Sequence, residues 1–313
     1  MIRWLVVGLL IMNVCWAGPT EKPMKAVMGI YPTFIHELDY ADESYKISYY
    51  LWFITDNPNY RPDKSIEITN AFDYQYKNYS KTLRKDGKYL YVMHVYSTNF
   101  HDWKVANFPF DKQTLTIRVE DSDTIDDIVF TADKKGSALS SNLNIEDWTI
   151  LNFEVKTNAH SYRSSLGDYD EKYDKYSQFV AELTIQRHGA RLFFNFYIGF
   201  IVSILISSFV FFIEPSEIRP RASFTLAALF GAVGNKYIID RYLPIVDHFT
   251  LNDAMQVASF GLILTTVLST IITYRIQQKN PHRADTVNKY VGWIAVPLFI
   301  LFYLIFFIKA IMS

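Results

Sequence analysis

An all-β sandwich followed by an all-α four-helix transmembrane bundle is the fold this 313-residue chain predicts, and three observations carry it. Residues 25–187 repeat short segments rich in aromatic and β-branched side chains, separated by polar turns, which is a strand pattern. Residues 192–313 are dominated by apolar runs of membrane-spanning length. One stretch among them, 217–244, is as long as its neighbours yet carries arginines at one end, two glycines, Asn235 and Lys236. A spanning helix of that kind faces protein or a wet cavity. The other reading of the stretch is an amphipathic helix lying on the membrane surface.

Taken in order, residues 1–18, MIRWLVVGLLIMNVCWAG, have a basic start, an apolar stretch and small residues at Ala17 and Gly18. That is a secretory signal pattern; a fifth spanning helix is the alternative, for which the run is short. The single cysteine, Cys15, lies inside it, so an exported domain over 19–190 has no disulfide and relies on an ordinary core. A net charge of −1, with no basic run in the polar half, sets a nucleic-acid partner aside.

Strands are expected over 25–35, 44–55, 88–98, 114–120, 148–157 and 177–187. In LTIRVE, Leu115, Ile117 and Val119 fall on one face and Thr116, Arg118 and Glu120 on the other, as a half-buried sandwich strand requires. Asp86-Gly87 and Lys135-Gly136 mark turns between runs. No Gly-rich phosphate loop follows a strand, and the seven histidines are scattered without metal spacing. An enzyme, a cofactor and a metal therefore have no residues to rest on, and a membrane-anchored enzyme or adhesin is set aside. The acidic cluster Asp168, Asp170, Glu171 and Asp174 reads as a solvated hairpin tip, and Asn78-Tyr79-Ser80 is a glycosylation-type tripeptide of little weight.

The segment 105–120, VANFPFDKQTLTIRVE, holds Phe108, Pro109, Phe110, Asp111 and Gln113. It resembles the signature turn at the membrane-facing base of the pentameric ligand-gated ion channels, and the two cysteine positions of the animal receptors fall on His101 and Leu115. The chain thus looks like the bacterial, cysteine-free branch of that superfamily. The resemblance implies an immunoglobulin-like sandwich of about ten strands, then four helices near 192–213, 220–243, 252–274 and 290–312 in a domain over 191–313. It also implies a homopentamer in the bacterial inner membrane, with the sandwich in the periplasm, that conducts inorganic ions and catalyses no reaction. A non-conducting receptor or sensor on the same fold is the alternative.

Physical reasons for the turn stand beside the resemblance. Pro109 fixes φ, Phe108 and Phe110 are apolar anchors, and Asp111 sets a carboxylate among them. That carboxylate either meets Arg187, which matches the family's pre-membrane arginine, or caps its own turn. Family spacing further implies coupling through Asp39 in the turn 39–43 and Pro244 in the loop 243–250, where Thr250 is an N-cap with Asp253 three residues on.

Ligand contacts implied by the resemblance are Tyr162, Tyr169, Tyr173 and Tyr176 on the hairpin 158–177, Phe72, Tyr74 and Tyr76 from an earlier loop, and Trp52 from the facing subunit. Glu120, Asp121 and Asp123 follow the turn by the spacing of another binding loop. Aromatic faces with a carboxylate suit a small-molecule agonist that is a cationic amine. Each tyrosine taken singly also fits ordinary packing.

In the membrane half, the first helix lacks a midway proline, with Gly199 its flexible point. Residues 275–289 read as a short basic linker on the cytoplasmic side, and the fourth helix, with aromatic residues all round, reads as lipid-facing. At about 100° per residue, Arg221, Thr225, Ala228, Ala232, Asn235 and Ile239 share one stripe of 217–244, with Leu229 and Lys236 at its margin. The resemblance through SFTL places Thr225 toward the pore, so this stripe is expected to line it. A gate would form from Leu229, Ile239 or the helix ends, or by a rotation that brings Phe230 inward. Glu217 at the inner mouth favours cations and Arg221 and Lys236 oppose them; with Asp240 expected to neutralise Lys236 as its i+4 neighbour, the reading leans to a cation-selective channel, an anion-selective one being the alternative.

Overall fold

The computed structural model describes residues 22–164, 175–244 and 246–312. The signal-like segment 1–18, and Tyr169 and Tyr173 with the acidic hairpin tip, lie outside them.

Nine strands form two sheets. The first runs β4(Ala71–Leu83), β5(Tyr89–Phe100), β2(Ser44–Thr55), β1(Met24–Asp39), β7(Ile128–Ala132); the second runs β3(Ile66–Ile68), β6(Lys112–Asp121), β9(Lys175–Arg187), β8(Trp148–Ser161). A single turn, α1(Pro62–Ser65), leads into β3. All pairings are antiparallel except β1 with β7. Alternation works as expected: Leu115, Ile117 and Val119 of β6 are buried, and they meet Met28 and Ile30 of β1 and Leu51 and Phe53 of β2 in one core. β4 differs, being exposed along almost its whole length as an edge strand.

Four helices are long and apolar enough to cross a membrane. They are α2(Gly189–Phe209), extended by a short 3-10 turn at Val210–Phe212, then α3(Ile218–Asp240), α4(Leu251–Gln277) and α5(Pro281–Met312). The expected basic linker shrinks to a tight turn at 278–280, because both helices run into it. Asn280 Oδ1 accepts from the Arg283 amide at 3.0 Å and Pro281 occupies the first helical position, where a missing N–H costs little. α3 packs on α2 and α4, while α5 packs on α4 at the periphery and is the least covered of the four.

Where α2 crosses α3, Gly199 lets the backbones approach closely. A Cβ there would lie 2.5 Å from Asn235 Oδ1, and that oxygen accepts from the Gly199 amide at 3.0 Å. Small residues at a crossing and a polar side chain bridging it are how helices associate in an apolar medium.

Candidate functional site

At the base of the sandwich, the turn after Asn107 contains a cis Phe108-Pro109 bond. Asp111 and Arg187 form an ion pair there: Arg187 Nε donates to Asp111 Oδ1 at 2.8 Å and Nη2 to Oδ2 at 3.3 Å. The Asp111 side chain is 1% exposed and that of Arg187 8%. Gln113 adds a donor to Asp111 Oδ2 at 2.7 Å, and the Arg187 guanidinium lies over Trp148, Tyr40 and Phe108, donating also to the Tyr40 hydroxyl. Burial pushes the Asp111 carboxyl up to about 6, against the downward pull of its hydrogen bond from Gln113, and the Arg187 guanidinium down to about 9. Asp39 has a local role, its Oδ1 accepting from the amides of Ala41 and Asp42 to close the β1–β2 turn.

The same turn seats on three membrane helices. Phe110 meets Phe193 of α2 and Phe307 of α5 at ring distances of 5.8 and 5.6 Å, and Phe108 meets Phe196 of α2 at 5.3 Å. Tyr197 of α2 donates to the Phe108 carbonyl at 3.2 Å, and the Leu251 amide, first in α4, donates to the Ala106 carbonyl at 2.9 Å. Thr250 and Asp253 form the expected capping box ahead of that amide. Pro244, at the start of the loop leading there, is half-buried.

Under the β8–β9 hairpin the structure brings Glu120, Tyr162 and Tyr176 together. Glu120 is not a free anion, however. His160 lies at 2.7 Å, Tyr162 donates at 2.9 Å and Gln178 at 2.5 Å, leaving the carboxylate 4% exposed. Asp121 is likewise consumed, accepting from Tyr60 at 2.7 Å and Ser65 at 2.8 Å. Two of the three expected ligand carboxylates are therefore internal struts, since a buried carboxylate persists only when its lone pairs are satisfied, and Asp123 is exposed in the loop beyond them.

A carboxylate absent from the expected set takes their place. Glu67 of β3 sits directly opposite Glu120 in the ladder, on the same sheet face, and is exposed. Among the described residues its carboxylate has no hydrogen bond or ion pair. Burial raises the phenols of Tyr74 and Tyr162, and the charge of Glu67 is a lesser cause at each. The signal in the sequence was its place one strand before the Tyr74 segment, invisible without the β3–β6 register.

Phe72, Tyr74 and Tyr76 lie on the edge strand β4 and not on a loop. Phe72 is 65% exposed and Tyr76 40% exposed, while the Tyr74 hydroxyl donates to the Ile66 carbonyl at 3.3 Å. Trp52 lies flat over Gly29, where a Cβ would come within 2.2 Å of its ring, and its Nε1 donates to Asp133 Oδ2 at 3.1 Å. No group of three His, Cys, Asp or Glu side chains fit for a metal occurs among the described residues.

The stripe expected to line a pore is turned the other way. The buried residues of α3 are Arg221, Thr225, Ala228, Ala232, Asn235 and Ile239, with Leu229 half-buried at their margin. Arg221 is 0% exposed and donates to Thr270 Oγ1 at 3.1 Å, the Ile213 carbonyl at 3.1 Å and Asn288 Oδ1 at 2.8 Å. Thr225 and Asn235 bond inward to the chain's own helices as well. Small and polar side chains on a spanning helix served helix contact here, not water. Lys236 does bind Asp240, at 2.6 Å, and Glu217 is the exposed N-cap of α3 at the end away from the sandwich.

Neither a scan against protein-family models nor a search of curated proteins returns a match for this chain.

Proposed function

We propose that the protein is a membrane receptor of the pentameric ligand-gated channel type. Five copies surround a pore formed along α3, a small cationic ligand settles beneath the β8–β9 hairpin, and no reaction is catalysed. In this reading the sandwich stands in the periplasm of a bacterium, residues 1–18 direct export, and α5 faces lipid. The uncovered side of α3, with Phe230 and Tyr237 at its centre, lines the pore.

The observation that supports this reading best is the seating of the 106–111 turn on α2, α4 and α5 together. A ligand-driven shift of the sandwich is passed to the helices as a rigid-body movement. Exposed Glu67, opposite Glu120 in the ladder, offers the charge, and Tyr162 and Tyr176 beside Glu120 the ring faces, that a cation needs. A non-conducting sensor is the second reading, favoured by Phe230 and Tyr237, 73% and 72% exposed, which would crowd a shared axis.

Native mass measurement and vesicle flux under a panel of amines, carboxylates and acid pH test it. Pentamers that pass ions on ligand addition are the expected result. Pentamers that never conduct support the sensor, and a monomer overturns both readings.

A further inference from the structure

The uncovered face of α3 carries fixed charge of one sign. At about 100° per residue, the direction opposite Arg221 and Ile239 holds Arg219, Ser223, Leu226, Phe230, Tyr237 and, at the C-cap, Arg241, all exposed. Among the described residues, neither Arg219 nor Arg241 has an ion-pair partner. Along the helix itself no free acidic group balances them among the described residues: Asp240 is bound by Lys236 at 2.6 Å, and Glu214 and Glu217, both exposed, precede the first helical residue.

We infer that the permeant ions are anions, an inference that rests on the channel reading above. Symmetry turns each side chain of this face into a ring, and rings of guanidinium at both mouths draw anions in and repel cations. Two further sources add positive potential at the mouth away from the sandwich. The N-terminus of α3 points its unsatisfied amides there. Directly behind it sits Arg221, fully buried and hydrogen-bonded to three neutral oxygens, so its charge is not cancelled by an ion pair. Between the mouths, Leu226, Phe230 and Tyr237 add no opposing charge, and a ring reaching toward an axis presents its positive edge.

The test uses the full chain in vesicles, with Phe230→Ala and Tyr237→Ala together removing both exposed rings of this face so that no agonist is needed. Chloride and sodium fluxes are read by ion-specific dyes, and pentamers are verified beforehand. Chloride should exceed sodium by about fivefold or more, and Arg219→Glu in the same background should cut that ratio by about fivefold or invert it. Sodium preference, or a ratio that Arg219→Glu leaves unchanged, overturns the anion inference while leaving a channel in place. A separate measurement catches failure of the channel reading. Ser223→Cys should react with a negatively charged thiol reagent faster than with a positive one, and Thr225→Cys with neither. Pentamers without flux of either ion and with Ser223→Cys as unreactive as Thr225→Cys overturn the pore itself.

Discussion

Arg187 grips Asp111 with two nitrogens at 2.8 and 3.3 Å, joining the last strand before the membrane to the turn that rests on it. Breaking such a pair leaves the other charge buried and alone, at a cost of about 3–5 kcal/mol. Asp111→Asn and Arg187→Gln should each lower the thermal stability of the detergent-solubilised protein sharply, and the double variant should lose far less than the sum. Additive losses would show that the two residues act independently.

Glu67 and Glu120 face each other across one ladder but differ in task. Glu67→Gln should weaken binding of a cationic amine by about tenfold and leave the melting temperature in place. Glu120→Gln should instead cost about 1–3 kcal/mol of stability, because His160, Tyr162 and Gln178 lose a shared acceptor. Calorimetric binding and melting curves on the same samples separate the two.

Gly199→Ala forces a methyl group against Asn235 at the α2–α3 crossing. Overpacking of this kind costs about 1–3 kcal/mol. Asn235→Ala in the same chain should recover part of the loss, which a melting series of the four combinations would read.

His101 is buried with its Nε2 at 3.2 Å from Gln113 Oε1, an oxygen that also accepts from the Lys104 amide. Gln113 Oε1 therefore accepts a hydrogen bond from His101, whose Nε2 carries the hydrogen. Burial holds the imidazole below its ordinary value, against the weaker upward pull of Gln113. The unfolded chain thus binds the extra proton first, and stability falls as pH drops through the ordinary imidazole range. Asp111, raised to about 6, works in the opposite direction, so the comparison is with His101→Gln. That variant should lose less melting temperature on acidification than the parent does.

The strands were legible where one face is buried, since a period of two writes itself into residues such as Leu115, Ile117 and Val119. β4 was not, because Lys77, Asn78 and Lys81 on an edge strand leave both faces wet and erase the alternation. The Asp111–Arg187 pair could be anticipated from two charges flanking apolar segments. The uncovered face of α3 could not be read in the same way. Thr225, Ala228, Ala232 and Asn235 are what a helix needs to approach a neighbour closely and also what a wet surface tolerates, so composition does not choose between them. The neighbours do: Gly199 on α2 and Thr266 on α4 wait for that stripe, and among the described residues none covers Phe230, which is 73% exposed.

The tight turn at 278–280 makes α4 and α5 a single hairpin, and both of its open ends lie beneath the sandwich: Leu251 bonded to Ala106, Phe307 against Phe110. A push from above therefore enters both legs at once. The hairpin behaves as a fork clamped at its tips and held again near its bend, where Arg221 of α3 bonds Thr270 of α4 and Asn288 of α5, and a longer turn at 278–280 should leave both contacts and the assembly in place.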